Sequence, residues 1–299
     1  SGVMNINPGG YCEAIGPNGI SKGAGTGVLN LAGGVLFTGP DSYSAQFSSP
    51  VPVVLSGSSE MRTIFSISTF SGPISGSGAL TISGGGTVRL TSATSYTGAT
   101  TIADTGLTVH GAGASLGSAA LGTNKIVANG PLTVSGGALA RPVTSLQIGT
   151  GGGTGSATVT GAGSSLTAGT FIEVGSSGTG DMDITSGGQV AATTSTALGL
   201  LPGSAGTVSV TGAGSMLNAG SILFLGYYST GICDVGTGGV VTAGGVNLGL
   251  FAGSSGVFVL NPGGTLNVGG TNGISAGTGG GGFALAGGLL KVTGSPLTT

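Results

Sequence analysis

The stretch "LGLLPGSAGTVSVTGAGSML", residues 198–217, contains a corner, a strand and a second corner in immediate succession. In its middle, Val208 and Val210 fall on one face and Ser209 on the other, the period-two signature of a half-buried strand. Pro-Gly-Ser precedes the strand and Gly-Ala-Gly-Ser follows it, and both are turn chemistry. The same text recurs on either side as "VGSSGTGDMDITSGGQV" (174–190) and "LGLFAGSSGVFVLNPGGTL" (248–266). The dipeptides Ile148-Gly149, Val174-Gly175, Leu198-Gly199, Leu225-Gly226 and Leu248-Gly249 mark the repeat and recur at a nearly constant spacing. A two-rung register also holds, because "TGAGSSLTAG" (160–169) returns as "TGAGSMLNAG" (211–220).

Self-similarity at this period decides the fold. One rung cannot bury its own apolar face, whereas stacked rungs about 4.8 Å apart bury it and pair each backbone with the coil above and below. Glycine at the corners permits left-handed backbone angles and close approach. No window keeps a helical period, and each Gly would cost a helix about 1 kcal/mol. The expected architecture is all-β: a right-handed parallel β-solenoid of about ten rungs of roughly 25 residues.

Composition agrees. The 299 residues include 69 Gly but only 11 Pro, with no strict Gly-X-Y period, which excludes collagen. A hydrophobic content of 38% opposes disorder. Six Lys and Arg against eight Asp and Glu give a net charge of −2, which is no footprint for nucleic acid or an anionic membrane. No apolar run is long enough for a transmembrane segment. Cys12 and Cys233 stand where related segments carry Leu266 and Met182, so they read as buried small hydrophobes rather than a disulfide.

The segment "GSGALTISGGGTVRLTSATSYTGATTI" (76–102) resembles the autotransporter-associated β-strand repeat, a Gly-rich strand pair ending in Tyr-Thr-Gly-x-Thr-Thr-Ile. The rungs from about Ile148 to Val268 resemble a second repeat, found in passengers of type V secretion and related exported surface proteins. The resemblance implies an exported bacterial β-helix, passenger only, and assigns no catalytic residue.

The two ends of the sequence match. Set Ser1 against Ser255 and "SGVMNINPGG" faces "SGVFVLNPGG", "NGISKGAGTG" faces "NGISAGTGGG" and "LNLAGG" faces "FALAGG", at a constant offset of 254 through Gly34. The expected organisation is therefore N-terminal coils at 1–41 equivalent to 255–295, an irregular insertion at 42–75, an autotransporter-type region at 76–145 and regular rungs at 146–299. Matching ends without a polar cap are compatible open edges. Repeated head-to-tail contact that does not close gives filaments. The residues expected at such a contact are Val3, Ile6, Asn7, Pro8, Ile20 and Leu31 at the head, with Val257, Leu260, Asn261, Pro262, Ile274, Leu285 and Leu289 at the tail. The other account of the matching ends is a super-repeat within a longer passenger.

Catalysis on a solenoid needs clustered carboxylates or a carboxylate beside a cation. The acids are Glu13, Asp41, Glu60, Asp104, Glu173, Asp181, Asp183 and Asp234, and only Asp181 and Asp183 are close in sequence. Asp183 aligns with Asp234 across the two-rung register. A cation site or glycan-cleaving pair is one reading, and a solvated polar face is the favoured one. His110, the single imidazole, reads as a turn or surface residue. Leu200-Leu201, Tyr227-Tyr228 and Leu250-Phe251 occupy equivalent places after their Leu-Gly corners. Either one of each pair packs in the core, or the pairs form an exposed lateral stripe.

The expected function is a non-enzymatic, extracellular structural protein of a bacterial surface that needs no cofactor or metal. Its partner is itself as a head-to-tail homopolymer, with glycans or the cell surface as further partners. The alternatives are an adhesin-like passenger fragment that binds host or polysaccharide and, ranked last, a polysaccharide-cleaving enzyme.

Overall fold

The computed structural model describes residues 2–16, 19–39, 46–117 and 125–293. Among these every regular element is a strand, and no helix is long and apolar enough to cross a membrane. The strands stack in parallel as a β-solenoid of about 11 turns, close to the expected ten. The chain forms two compact units, Ser1–Val143 and Thr144–Thr299.

In the second unit each turn contributes three strands. The longest column runs through Thr154–Thr160, Thr179–Thr185, Ala205–Thr211, Thr230–Val235, Ser255–Leu260 and Gly280–Leu285. Its register is unbroken from Thr154 opposite Thr179 to Leu260 opposite Leu285, with every turn nearly equal in length. Met182, Val208, Cys233 and Phe258 form one inward ladder and Ile184, Val210, Val235 and Leu260 another, all essentially without solvent contact. Alternation in sequence thus becomes continuous apolar columns once the turns stack. Each buried aliphatic side chain in such a column contributes about 1.5–3 kcal/mol.

The Leu-Gly corners explain the repeat's punctuation. Gly175 and Gly199 have φ of +68° and +64°, in the left-handed region. A Cβ on them would lie 2.0 Å from the Ala205 oxygen and 2.2 Å from the Thr230 oxygen, on the strand of the next turn. A second glycine faces this corner: a Cβ on Gly206 would lie 2.0 Å from the Val174 oxygen. Two backbones meet here without room for a side chain. Cys233 is fully buried in its ladder and Cys12 is half-buried, and both are free thiols. Burial pushes the Cys233 thiol well above its ordinary range.

The first unit is built the same way, with turns of more variable length. Thr87 pairs Gly106 across a short turn, whereas Thr100 pairs Ile126 across a longer one. Gly2–Ile6, Gly27–Leu31, Val53–Leu55 and Ile74–Gly76 form one column. Tyr11–Ile15, Val35–Gly39, Ser59–Thr63, Leu80–Ser83 and Thr100–Ile102 form a second. A third starts at Phe47–Ser49 and continues through Ile67–Phe70, Thr87–Leu90 and Gly106–His110.

These columns correct the expected irregular insertion at 42–75. From Phe47 onward the segment supplies a strand to each column in register. Pro50 and Pro52 fall at the corner between Phe47–Ser49 and Val53–Leu55, where a missing N–H costs no ladder bond. Pro40 and residues 41–45, including Asp41, lie outside the described residues. The core here also differs in kind. Phe47 and Phe70 pack with ring centroids 5.3 Å apart. Thr38, Thr63 and Ser68 are fully buried, and both threonine hydroxyls lie 2.8 Å from the Ser68 hydroxyl. Tyr96 of the Tyr-Thr-Gly-x-Thr-Thr-Ile motif is buried with its hydroxyl 2.5 Å from that of Thr100. Burial raises its ionisation far above the phenol's usual value.

Candidate functional site

The matching ends of the sequence adopt matching corners. In Asn7-Pro8-Gly9-Gly10 the Gly10 N–H donates to the Asn7 oxygen at 2.8 Å, and Gly9 has φ +74°. In Asn261-Pro262-Gly263-Gly264 the same bond is 3.0 Å and φ is +76°. The equivalence extends one coil further. Gly33 and Gly287, at φ +105° and +106°, sit over Pro8 and Pro262 with near-identical clearances of 3.3 and 3.4 Å. The ladder repeats as well: Gly2 pairs Gly27 and Ile6 pairs Leu31, while Gly256 pairs Gly281 and Leu260 pairs Leu285. Tyr11 pairs Val35, and Thr265 pairs Leu289. One difference appears. Gly273–Ala276 pairs with Gly245–Leu248, whereas the equivalent Gly19–Lys22 forms no strand, and its Ile20 oxygen accepts from the Ser49 hydroxyl at 2.7 Å.

Among the described residues, Gly2–Ile6, Tyr11–Ile15, Gly280–Leu285 and Leu289–Val292 each have a ladder partner on one side only. These strands are apolar and uncovered: Val3 is 64% exposed, Tyr11 59%, Leu285 56% and Leu289 50%. A groove of about 450 Å³ beside the first strand is lined by Val3, Met4, Ile20 and Leu29 among others. Of the expected contact residues, Asn7, Pro8 and Pro262 are exposed, while Ile20, Val257, Asn261 and Ile274 are half-buried or better. Ile6, Leu31 and Leu260 belong to the core ladders. Pattern reading did not pick out Met4 and Phe283, the first an exposed inward position of its column and the second stacked on Phe258 at 5.3 Å. Their alternation with Ile6 and Leu285 carried that signal.

The paired apolar residues after the corners lie outside the core. Leu200, Tyr227 and Leu250 are half-buried, and Leu201, Tyr228 and Phe251 are exposed. Tyr228 and Phe251 stack at 4.3 Å and 7°, and Tyr227 meets both edge-on at 5.2 and 5.3 Å. Phe224, an outward strand residue, joins Tyr227 at 5.1 Å.

The acids do not converge. Asp183, Ser209 and Asp234 share one outward column, with a full turn between the two carboxylates, and Asn261 donates to Asp234 at 2.6 Å. Among the described residues no group of three His, Cys, Asp or Glu side chains could hold a metal ion. The Nδ1 of His110 lies 3.0 Å from the Ser135 hydroxyl, its neighbour in the ladder. Comparison with protein-family models, with curated proteins and with solved structures found no match.

Proposed function

We propose that the protein is a structural element of a bacterial exterior, extended by coil-on-coil stacking of identical copies. The observation that carries this reading is the pair of corner-matched ends whose outermost strands, Gly2–Ile6 and Tyr11–Ile15 at the head and Gly280–Leu285 and Leu289–Val292 at the tail, are apolar and have a ladder partner on one side only. Setting Gly2 of one copy beside Gly281 of another continues the glycine column that already runs Gly180, Gly206, Gly231, Gly256 and Gly281. The same register sets Met4 against Phe283 and Ile6 against Leu285. Setting Cys12 against Leu290 and Ala14 against Val292 extends a second apolar column. Cohesion then comes from ladder hydrogen bonds, each worth about 0.5–1.5 kcal/mol net, and from apolar contact across the seam. A surface poor in charge and rich in Ser, Thr and Gly suits an exported protein, and the autotransporter-like motif at 76–102 supports the same location.

One observation favours a second reading. The equivalence covers two coils, and the coil that natively follows the second is the third. A super-repeat with the period of the end-to-end offset, within one longer chain, would place a third-coil sequence there. The reading frame beyond Thr299 distinguishes the two.

Electron microscopy and sedimentation of the purified chain test the proposal. Polymers are expected for the native sequence, and dispersed chains with unchanged circular dichroism for Met4→Asp and for Leu285→Asp. A native chain that stays at 27.7 kDa at high concentration overturns it.

A further inference from the structure

We propose that a groove on the second unit binds a small organic cation with an apolar shell, of the trimethylammonium class. The groove arises from an interruption in two outward columns. In the first, Phe171 is followed on the next turn by Ser195 and then by Ile222. In the second, Glu173 is followed by Ala197 and then by Phe224. The middle turn therefore presents only small side chains, between larger ones on strands about 9.6 Å apart. Leu200 and Tyr227 close the corner side, and the enclosed space is about 210 Å³.

Three aromatic rings and one carboxylate line this space. Phe224 and Tyr227 stand edge to face at 5.1 Å and 78°, so they present differently oriented surfaces. Phe171 is 45% exposed on the opposite wall. Gln147 Nε2 at 2.9 Å and the Ser176 hydroxyl at 2.7 Å both donate to Glu173 Oε2, which fixes the carboxylate and leaves Oε1 without a bond from them. The one Lys or Arg of the second unit is Lys291, on the strand Leu289–Val292. Among the described residues of this unit, nothing of opposite charge is built beside Glu173.

Ring faces attract cations through their quadrupole, most strongly when the cation is weakly hydrated, and a carboxylate adds the countercharge. Methyl groups on the cation match the apolar walls. A saccharide needs several hydrogen-bond donors, and of the lining side chains Ser195 is spent on the Thr194 oxygen, which leaves the Tyr227 hydroxyl as the one side-chain donor.

Titration calorimetry of the full chain with choline chloride and with tetramethylammonium chloride tests this. Both should bind, and dimethylbutanol, the neutral carbon isostere of choline, should bind at least about tenfold more weakly. Glu173→Gln should weaken choline about fivefold. Ala197→Leu, whose side chain stands on the outward column between Glu173 and Phe224, should fill the notch and abolish binding with an unchanged melting curve. If that variant unfolds, Glu173→Gln and the isostere carry the test. Equal affinity for choline and dimethylbutanol, unchanged affinity in Glu173→Gln, tighter binding of methyl glucoside, or no binding of either cation overturns the proposal.

Discussion

Replacing Gly199 and Gly203 separately by Ala divides the corner's two demands. Both have left-handed backbone angles, φ +64° and +80°. Beyond Gly203 a Cβ meets nothing within 4 Å, whereas beyond Gly199 it meets the Thr230 oxygen at 2.2 Å. Gly203→Ala therefore incurs conformational strain alone, about 1–2 kcal/mol. Gly199→Ala adds a displacement of the next turn by roughly 1 Å, since Cβ to oxygen contacts sit beyond about 3 Å. That shift strains the bonds that Tyr228 N–H and Ser229 N–H donate to the Gly199 oxygen, 3.2 and 3.1 Å, and the one from Gly226 N–H to the Leu198 oxygen, 3.0 Å. At about 1 kcal/mol for each bond, the expected total is about 4 kcal/mol. Denaturant unfolding followed by circular dichroism measures the total. Amide exchange at residues 226–230 locates it, because a stacked array can open locally. Equal costs for the two variants, or a Gly199→Ala cost below about 1.5 kcal/mol, would show that backbone approach does not constrain this corner.

Other outcomes follow from burial. In the dispersed Met4→Asp chain an alkylating thiol reagent should label Cys12 while the fold is intact and reach Cys233 only on unfolding, as counted by mass spectrometry. Because the folded Cys233 ionises well above its ordinary 9.0, the unfolded chain loses that proton first. Its contribution is whole below pH 9 and falls away as pH rises beyond it, so Cys233→Ala should move the onset of alkaline unfolding upward in a pH series. Tyr227→Ser with Tyr228→Ser should lower the melting temperature by only a few degrees, since neither ring is in the core. A collapse of the fold instead would place them there. Adding calcium should leave the melting temperature of the native chain unchanged, because Asp183 and Asp234 stand two turns apart with Ser209 between them.

The solenoid was legible because its corners repeat. Leu198-Gly199 and its relatives fixed the period, and Val208 with Val210 fixed the inward face. The coils from Phe47 to Gly76 were not legible. Only the column of Val53, Leu55 and Ile74 keeps the aliphatic pattern; the other two are filled by Phe47, Met61 and Phe70 and by the buried hydroxyls of Thr63 and Ser68. Their corner carries Pro50 and Pro52 where the others carry glycine. Period two also could not place Leu200-Leu201 or Tyr227-Tyr228. They follow a glycine with a positive φ, where the alternation resets, so either residue of a pair can face outward. The notch at Ala197 depends on which residues of separate turns lie side by side. The turn from Phe171 to Ser195 is shorter than the one from Ser195 to Ile222, and a fixed spacing misses it.

Outside the corners, the parallel ladder leaves each strand's backbone donors and acceptors to be satisfied by the turns on either side. A closed barrel fixes its strand number through circumference, but nothing in this geometry counts. Genes encoding such chains can therefore gain or lose a whole winding, cut at any two equivalent Leu-Gly steps, and the windings on either side meet as before. Size becomes a variable that selection can adjust in increments of one winding without redesigning the interior.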